Sequence, residues 1–138
     1  MIEFNQKEIE FLESLKEARI ATCYDNISHV KPVSFVFVDN TVLVVTDYNT
    51  RTFTNIKSNP HTSIVIDIYK SGEHKAICIQ GKTEIIENGL EFKKLFLDQF
   101  EKVSSEQILV FSEWNEFLIL IIHILEKDSS LTHLQLLL

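Results

Sequence analysis

The spacing of apolar residues switches from helical to alternating at Arg19 and returns to helical spacing only in short stretches after that. Ile9, Leu12, Leu15 and Ala18 recur on one helical face with Phe11 beside them, which predicts an amphipathic helix over residues 6–18. Asn5 and Glu8 have the spacing of a capping box, and Phe4 with Ile9 can staple the chain across it. From Arg19 onward Ile20, Thr22 and Tyr24 alternate with Ala21 and Cys23, the signature of a strand, and Asp25-Asn26 supplies a turn. Val30 to Val38 reads as the next strand, with Val33, Phe35 and Phe37 on one face and Ser34, Val36 and Val38 on the other. Pro32 cannot donate to a ladder, so it belongs near the start of that strand or at an edge. Asp39-Asn40 then turns the chain into Val42 to Thr46. Both members of this hairpin are apolar on both faces, as expected when one face fills a barrel and the other is covered by a helix or a partner subunit.

A short helix carrying Phe53 and Ile56 on one face follows, stopped by Asn59-Pro60. Thr62 to Tyr69 is a further strand, and Lys70-Ser71-Gly72-Glu73 links it to a long one, Lys75 to Ile86, in which Gly81 signals a bulge or a close backbone approach. Leu90, Phe92, Leu95, Phe96 and Phe100 mark a second amphipathic helix, Ser104 to Trp114 is helical or looped, and Phe117 to Leu125 is a strand buried on both faces. The leucine-rich end from Leu131 to Leu138 is either an edge strand or packed on a partner. Short strands joined by tight turns favour a small barrel over a doubly wound sheet. The expectation is a mainly β protein, a six-stranded antiparallel split barrel with peripheral helices, forming a single domain over residues 1–138.

The formal net charge of −7 argues against nucleic acid as a main partner, because binding a phosphate backbone needs a clustered positive surface. Cys23 and Cys78 form no CxxC and sit in apolar runs, so they read as buried free thiols in a reducing compartment. The run from Phe117 to Leu125, interrupted by His123, is too short to span a bilayer as a helix, and no basic-then-apolar leader opens the sequence. These features lead us to expect a soluble cytoplasmic protein. The five histidines form no HxH or HExxH, so no metal site is expected, and GxSxG is missing. Trp114, the lone tryptophan, is assigned to core or interface packing.

Candidate chemistry concentrates in TDYNTRTFTNIKSNP, Thr46 to Pro60. A helix start offers unpaired N–H groups and the positive end of a dipole. Thr50 can add a hydroxyl, and Arg51, one of only two arginines, can pair with a phosphate in a bidentate manner. The same residues can equally be an N-cap and a solvated charge, and the local sequence leaves both readings open.

Taken together, FLESL, RIATCYDN, HVKPVSFVF, VVTDYNTRTFTNIKSNP and ICIQGKTEII resemble, in order and spacing, the pyridoxamine 5′-phosphate oxidase-like FMN-binding split-barrel family. The resemblance implies a homodimer with FMN at the subunit interface, bound without a glycine-rich loop. By position, it places Thr46 beside the isoalloxazine, Thr50 and Arg51 on the phosphate, and Ser34 and Phe35 where backbone groups meet the ring. Thr52 stands where the family usually has a second basic residue, a departure that removes a charge-assisted contact worth roughly 1.5–3 kcal/mol. Lys57 is a substitute if its stem reaches back. The Arg-x-His that grips substrate phosphate in true pyridoxamine phosphate oxidases has no counterpart, since no arginine follows Arg51. The resemblance therefore points to the diverse smaller branch, whose members bind FMN, the deazaflavin F420 or haem. Three readings follow: an FMN-dependent oxidoreductase acting on a small molecule, a cofactor-binding protein without turnover, and a barrel that has lost its cofactor.

Overall fold

Asn5 starts the first helix, as its spacing to Glu8 requires. The Asn5 side-chain oxygen accepts from the Glu8 amide and the Glu8 carboxylate accepts from the Asn5 amide, both at 2.9 Å. Helix α1 (Gln6–Glu13) is nevertheless shorter than its apolar spacing predicts. The Ser14 amide closes it by donating to the carbonyls of Glu10 and Phe11. Ala18, which continues the helical spacing, also fits the alternation that follows, and the strand takes it. In the computed structural model, which describes residues 2–87, 89–103 and 117–135, strand β1 (Glu17–Tyr24) turns Ala18, Ile20 and Thr22 inward.

β1 pairs with β2 (Ile27–Val38) across the Asp25-Asn26 turn, and β2 pairs with β3 (Thr41–Asp47) across Asp39-Asn40. All four turn residues have positive φ, between 49° and 62°, which suits the twist of two-residue hairpins and the tolerance of Asp and Asn for that region. Pro32 lies opposite Arg19, where β2 is paired on its β1 side and its ladder with β3 has not begun, so the missing N–H costs no strand hydrogen bond. Helix α2 (Arg51–Ser58) follows, then β4 (His61–Lys70), β5 (Glu73–Ile86), α3 (Leu90–Val103) and β6 (Phe117–Gln135). The strands close into an antiparallel barrel in the order β1-β2-β3-β6-β5-β4, with β4 returning to β1.

β6 runs well past Leu125, where the alternating apolar pattern ends. It continues along β5 to the pair Glu73↔Gln135, with register irregularities at His74/Ala76 and Gln80/Gly81. The first part of the leucine-rich end is thus the far half of an existing strand rather than a separate edge strand. Residues 136–138 and the Ser104 to Trp114 stretch lie outside the described residues.

Two apolar layers hold the barrel. Its interior is filled from every strand, with Ile20, Phe35, Val44, Ile64, Ile66, Ile77, Ile79 and Leu120 at 2 % exposure or less, and is closed at one end by Leu12 of α1 and at the other by Ile56 of α2. Outside, Val36, Leu43, Ile119 and Ile121 meet Phe96 and Phe100 of α3. The second apolar face of the β2–β3 hairpin is therefore covered by the chain's own helix. Among the described residues the outer rows of β1, β4 and β5 carry no such cover, and this accounts for the cysteines. Cys23 is half-buried and Cys78 exposed, both free, so neither is the buried thiol expected from its apolar neighbours.

Candidate functional site

At the α2 end the barrel interior turns polar. Thr22, Thr46, Thr62 and Thr83 stand at the ends of four strands, all buried, beneath Thr52 and Asn55 of α2. Asn55 donates to the Thr22 hydroxyl at 3.0 Å, and the hydroxyls of Thr62 and Thr83 are 2.7 Å apart. Asn59 at the helix end donates to the Cys23 carbonyl, also at 3.0 Å. These bonds fix α2 on the barrel, and with it the turn from β3 into the helix.

That turn brings Thr46, Thr50 and Arg51 together. Thr46, the last inward residue of β3, has its hydroxyl 3.4 Å from that of Thr50. Thr50 is the N-cap, with φ −128° and ψ 156°. Its hydroxyl accepts from the Phe53 amide at 3.2 Å and donates to the Asp47 carbonyl at 2.9 Å. The cap therefore uses the proton that a ligand would need from Thr50. The donors left at the helix start are the amides of Arg51 and Thr52. Arg51 itself is exposed, and among the described residues no carboxylate pairs with it. An unpaired guanidinium beside two orphan amides is a fitting receptor for a phosphate oxygen.

The remaining sequence-derived positions are arranged less simply. Thr52 is fully buried and its hydroxyl has no hydrogen-bond partner, so of this residue only the amide faces the helix start. Lys57 reaches back one turn, placing Nζ 5.3 Å from the centre of the Phe53 ring, which stops short of Arg51. Phe35 points into the barrel core and its amide donates to the Lys16 carbonyl at 3.1 Å. Ser34 is half-buried in the opposite, outward row.

Sequence reasoning passed over Tyr48. Its ring is 40 % exposed and stands edge-on to Phe53, centroids 5.4 Å apart at 77°. An aromatic residue in an otherwise polar turn, two positions before the cap, was the signal that could have found it. A hollow of about 460 Å³ adjoins this polar end, lined by Thr22, Thr62 and Asn59 together with Ala21, Gln80 and Leu125, and neither Thr50 nor Arg51 lines it.

Residues 4–121 match the family model described as pyridoxamine 5′-phosphate oxidase, a span that includes the barrel from α1 into β6 and the whole Thr46 to Pro60 segment. The chain belongs to this family. Its barrel is shared with solved structures of low sequence identity. A conserved hypothetical protein of Mycobacterium tuberculosis, Rv2991, superposes with a TM-score of 0.77 at 18% identity, over 93% of this chain and 85% of the other. An FAD-binding protein of Mycobacterium smegmatis gives 0.66 at 17%, covering 92% and 94%. An FAD- and haem-binding protein of the same organism gives 0.74 at 12%, covering 94% and 71%. At such identities the likeness establishes the split barrel alone. No functionally curated protein matches the sequence. Among the described residues no helix is long and apolar enough to cross a membrane.

Proposed function

We propose that this member of the pyridoxamine 5′-phosphate oxidase family binds a flavin nucleotide, FMN being the simplest, with its phosphate at the start of α2, and acts as a flavin-dependent oxidoreductase on a small molecule. The observation that carries the reading is Arg51, an exposed guanidinium with no carboxylate partner among the described residues, next to the free amides of the first helical turn. The family match over residues 4–121 and the flavin-binding structures that share the barrel support it. A bound flavin supplies hydride exchange at N5, and the protein supplies binding and electrostatics. Arg51 would hold the phosphate, the Arg51 and Thr52 amides would complete its shell, and Ser34 on β2 is the position the family resemblance assigns to the ring. Pyridoxamine 5′-phosphate is not the expected substrate, because no arginine follows Arg51 to hold a second phosphate.

The test is a pair of affinities. FMN binds more tightly than riboflavin, and Arg51→Ala weakens FMN by about 2 kcal/mol, roughly thirtyfold, while leaving riboflavin unchanged. Equal affinity for the two flavins, or an unaltered FMN affinity in Arg51→Ala, overturns the phosphate assignment. Loss of the oxidised flavin band on anaerobic mixing of the loaded protein with a reduced nicotinamide distinguishes turnover from binding alone.

A further inference from the structure

Two irregularities of the strand ladders meet at one place on the barrel wall. β1 and β4 pair only through Arg19↔Val65, Ile20↔Ile64 and Ala21↔Ser63, and beyond Ala21 the strands part. Asn59 takes over the seam, its side chain donating to the Cys23 carbonyl at 3.0 Å and accepting from the His61 amide at 3.2 Å. On the β5–β6 side, Gln80 pairs with Glu126 and Gly81 with Ile124, so Leu125 is an extra residue in β6, a β-bulge. Bulges re-aim side chains and are over-represented next to active sites. Here the bulged Leu125 and its neighbour Glu126 line the same hollow of about 460 Å³ that the parted seam opens into. Its outer row is continuous across four strands, with Ala21, Ser63, Gln80 and Glu126 opposite one another in register.

The inner end of the hollow has hydroxyl protons to give. Thr22 and Thr62, at 3 % and 5 % exposure, both line it. The Thr22 hydroxyl accepts from Asn55, a bond that leaves its own proton unused. The hydroxyls of Thr62 and Thr83 spend one of their two protons on each other. None of the hydrogen bonds among the described residues takes either of the two remaining protons. A buried donor without an acceptor is costly, so this end is matched to a ligand that brings acceptor oxygen or nitrogen.

Charge narrows the class further. Among the described residues no lysine or arginine lines the hollow, and Glu126 is its one carboxylate. An anion would meet that carboxylate with no fixed cation to offset it. A cation bearing only donors would leave the threonine protons unpaired. An amide carries a carbonyl acceptor and N–H donors on adjacent atoms with no net charge, and the Gln80 and Glu126 side chains can accept from its N–H groups. Ala21 and Leu125 give apolar surface to the rest of the molecule. We propose that the hollow is a binding site for a small planar amide or lactam, separate from the phosphate assignment at α2.

Benzamide, benzoate and benzamidine share one shape and differ in charge, so their binding to the intact protein, followed by calorimetry or by shifts of amide resonances, tests the proposal. Benzamide is expected to bind saturably in the millimolar range, and each charged analogue at least about fivefold more weakly, the equivalent of about one hydrogen bond. Glu126→Gln improves benzoate relative to benzamide. Ala21→Leu, and separately Ser63→Leu, fill the hollow from β1 and from β4 without removing any of the hydrogen bonds described, and each abolishes saturable benzamide binding. Three equal affinities, no saturable binding of benzamide, or benzamide binding that survives both leucine variants overturns the proposal. None of these results depends on FMN affinity, so this site and the phosphate site stand or fall separately.

Discussion

At the scale of single residues, the most consequential buried charge lies outside the candidate site. Glu8 of α1 is 3 % exposed and accepts from Lys127 Nζ of β6 at 2.6 Å, while that ammonium also sits 4.5 Å from the centre of the Phe4 ring. Burial pushes the carboxyl up, but Lys127, the Asn5 amide and Ser129 together outweigh it and hold the group below its ordinary value. A lowered folded value means stability that is fully present above the ordinary carboxylate range and is lost as the pH falls through the lowered one. Glu8→Gln keeps the shape of the cap and removes the charge. It is expected to cost about 2 kcal/mol at neutral pH and to flatten the decline in stability below about pH 4.5. Denaturant unfolding at neutral pH and at about pH 3.5 checks this, and a variant that loses as much at both values contradicts it. Direction is what single residues left unreadable in the sequence. The cap at Thr50 was legible, because a threonine between the end of a strand and a helical run has the spacing of an N-cap. The inward turn of Thr52, and the loss of the Phe35 amide to the Lys16 carbonyl, depend on which way the chain enters α2 and β2. Local spacing does not encode that.

At the scale of elements, order and type were legible wherever the apolar period was unambiguous, and ends were misread wherever one residue satisfied two periods. Ala18 extends the helical spacing of α1 and opens the alternation of β1, and its pairing with Val33 decides between them. The far half of β6 was missed for a related reason. From Glu126 to Ser130 the strand is polar, so it carries no alternation to read, and its pairing with β5 holds it in place. Gly81 was the exception, a single residue that announced an irregularity between two strands. A Cβ there would lie 2.6 Å from the His123 carbonyl oxygen and 2.6 Å from Cγ2 of Ile122, next to the register shift between Gln80 and Gly81. The backbone oxygen cannot rotate away, so Gly81→Ala must displace one strand from the other. The expected cost is about 1–3 kcal/mol, of the size found for overpacked cores. Loss of amide protection confined to the β5–β6 ladder would locate it. An alanine variant as stable as the parent would mean that the bulge relaxes freely.

At the scale of the whole molecule, the question is what covers the outer wall of β1, β4 and β5. The doubly apolar β2–β3 hairpin does not require a partner, because α3 already buries its outer face with Phe96 and Phe100. The wall of β1, β4 and β5, bare among the described residues, is different in kind. It is small and polar along Ala21, Ser63 and Gln80, hollowed by about 460 Å³ with Leu125 at 54% exposure in its lining, and Val30, at 62%, stands beside Ala21 across the β1–β2 ladder. Isolated exposed aliphatic residues are ordinary on a monomer, but two flanking one hollow fit the core of a wet, modest interface. We propose that a second copy of the chain docks there; the family resemblance implies a homodimer and does not say which face it uses. Both side chains are already in water, so Val30→Asp with Leu125→Asp leaves the monomer's core intact and places like charges face to face on a two-fold contact. Sedimentation at micromolar concentration is expected to show a dimer for the parent and at least a tenfold weaker association for the double variant. A monomeric parent under those conditions rules out the two-chain arrangement. A dimer that survives both aspartates moves the contact to another face. If the cofactor site is shared between subunits, flavin affinity falls together with dimerisation in the double variant, even though neither substitution touches α2.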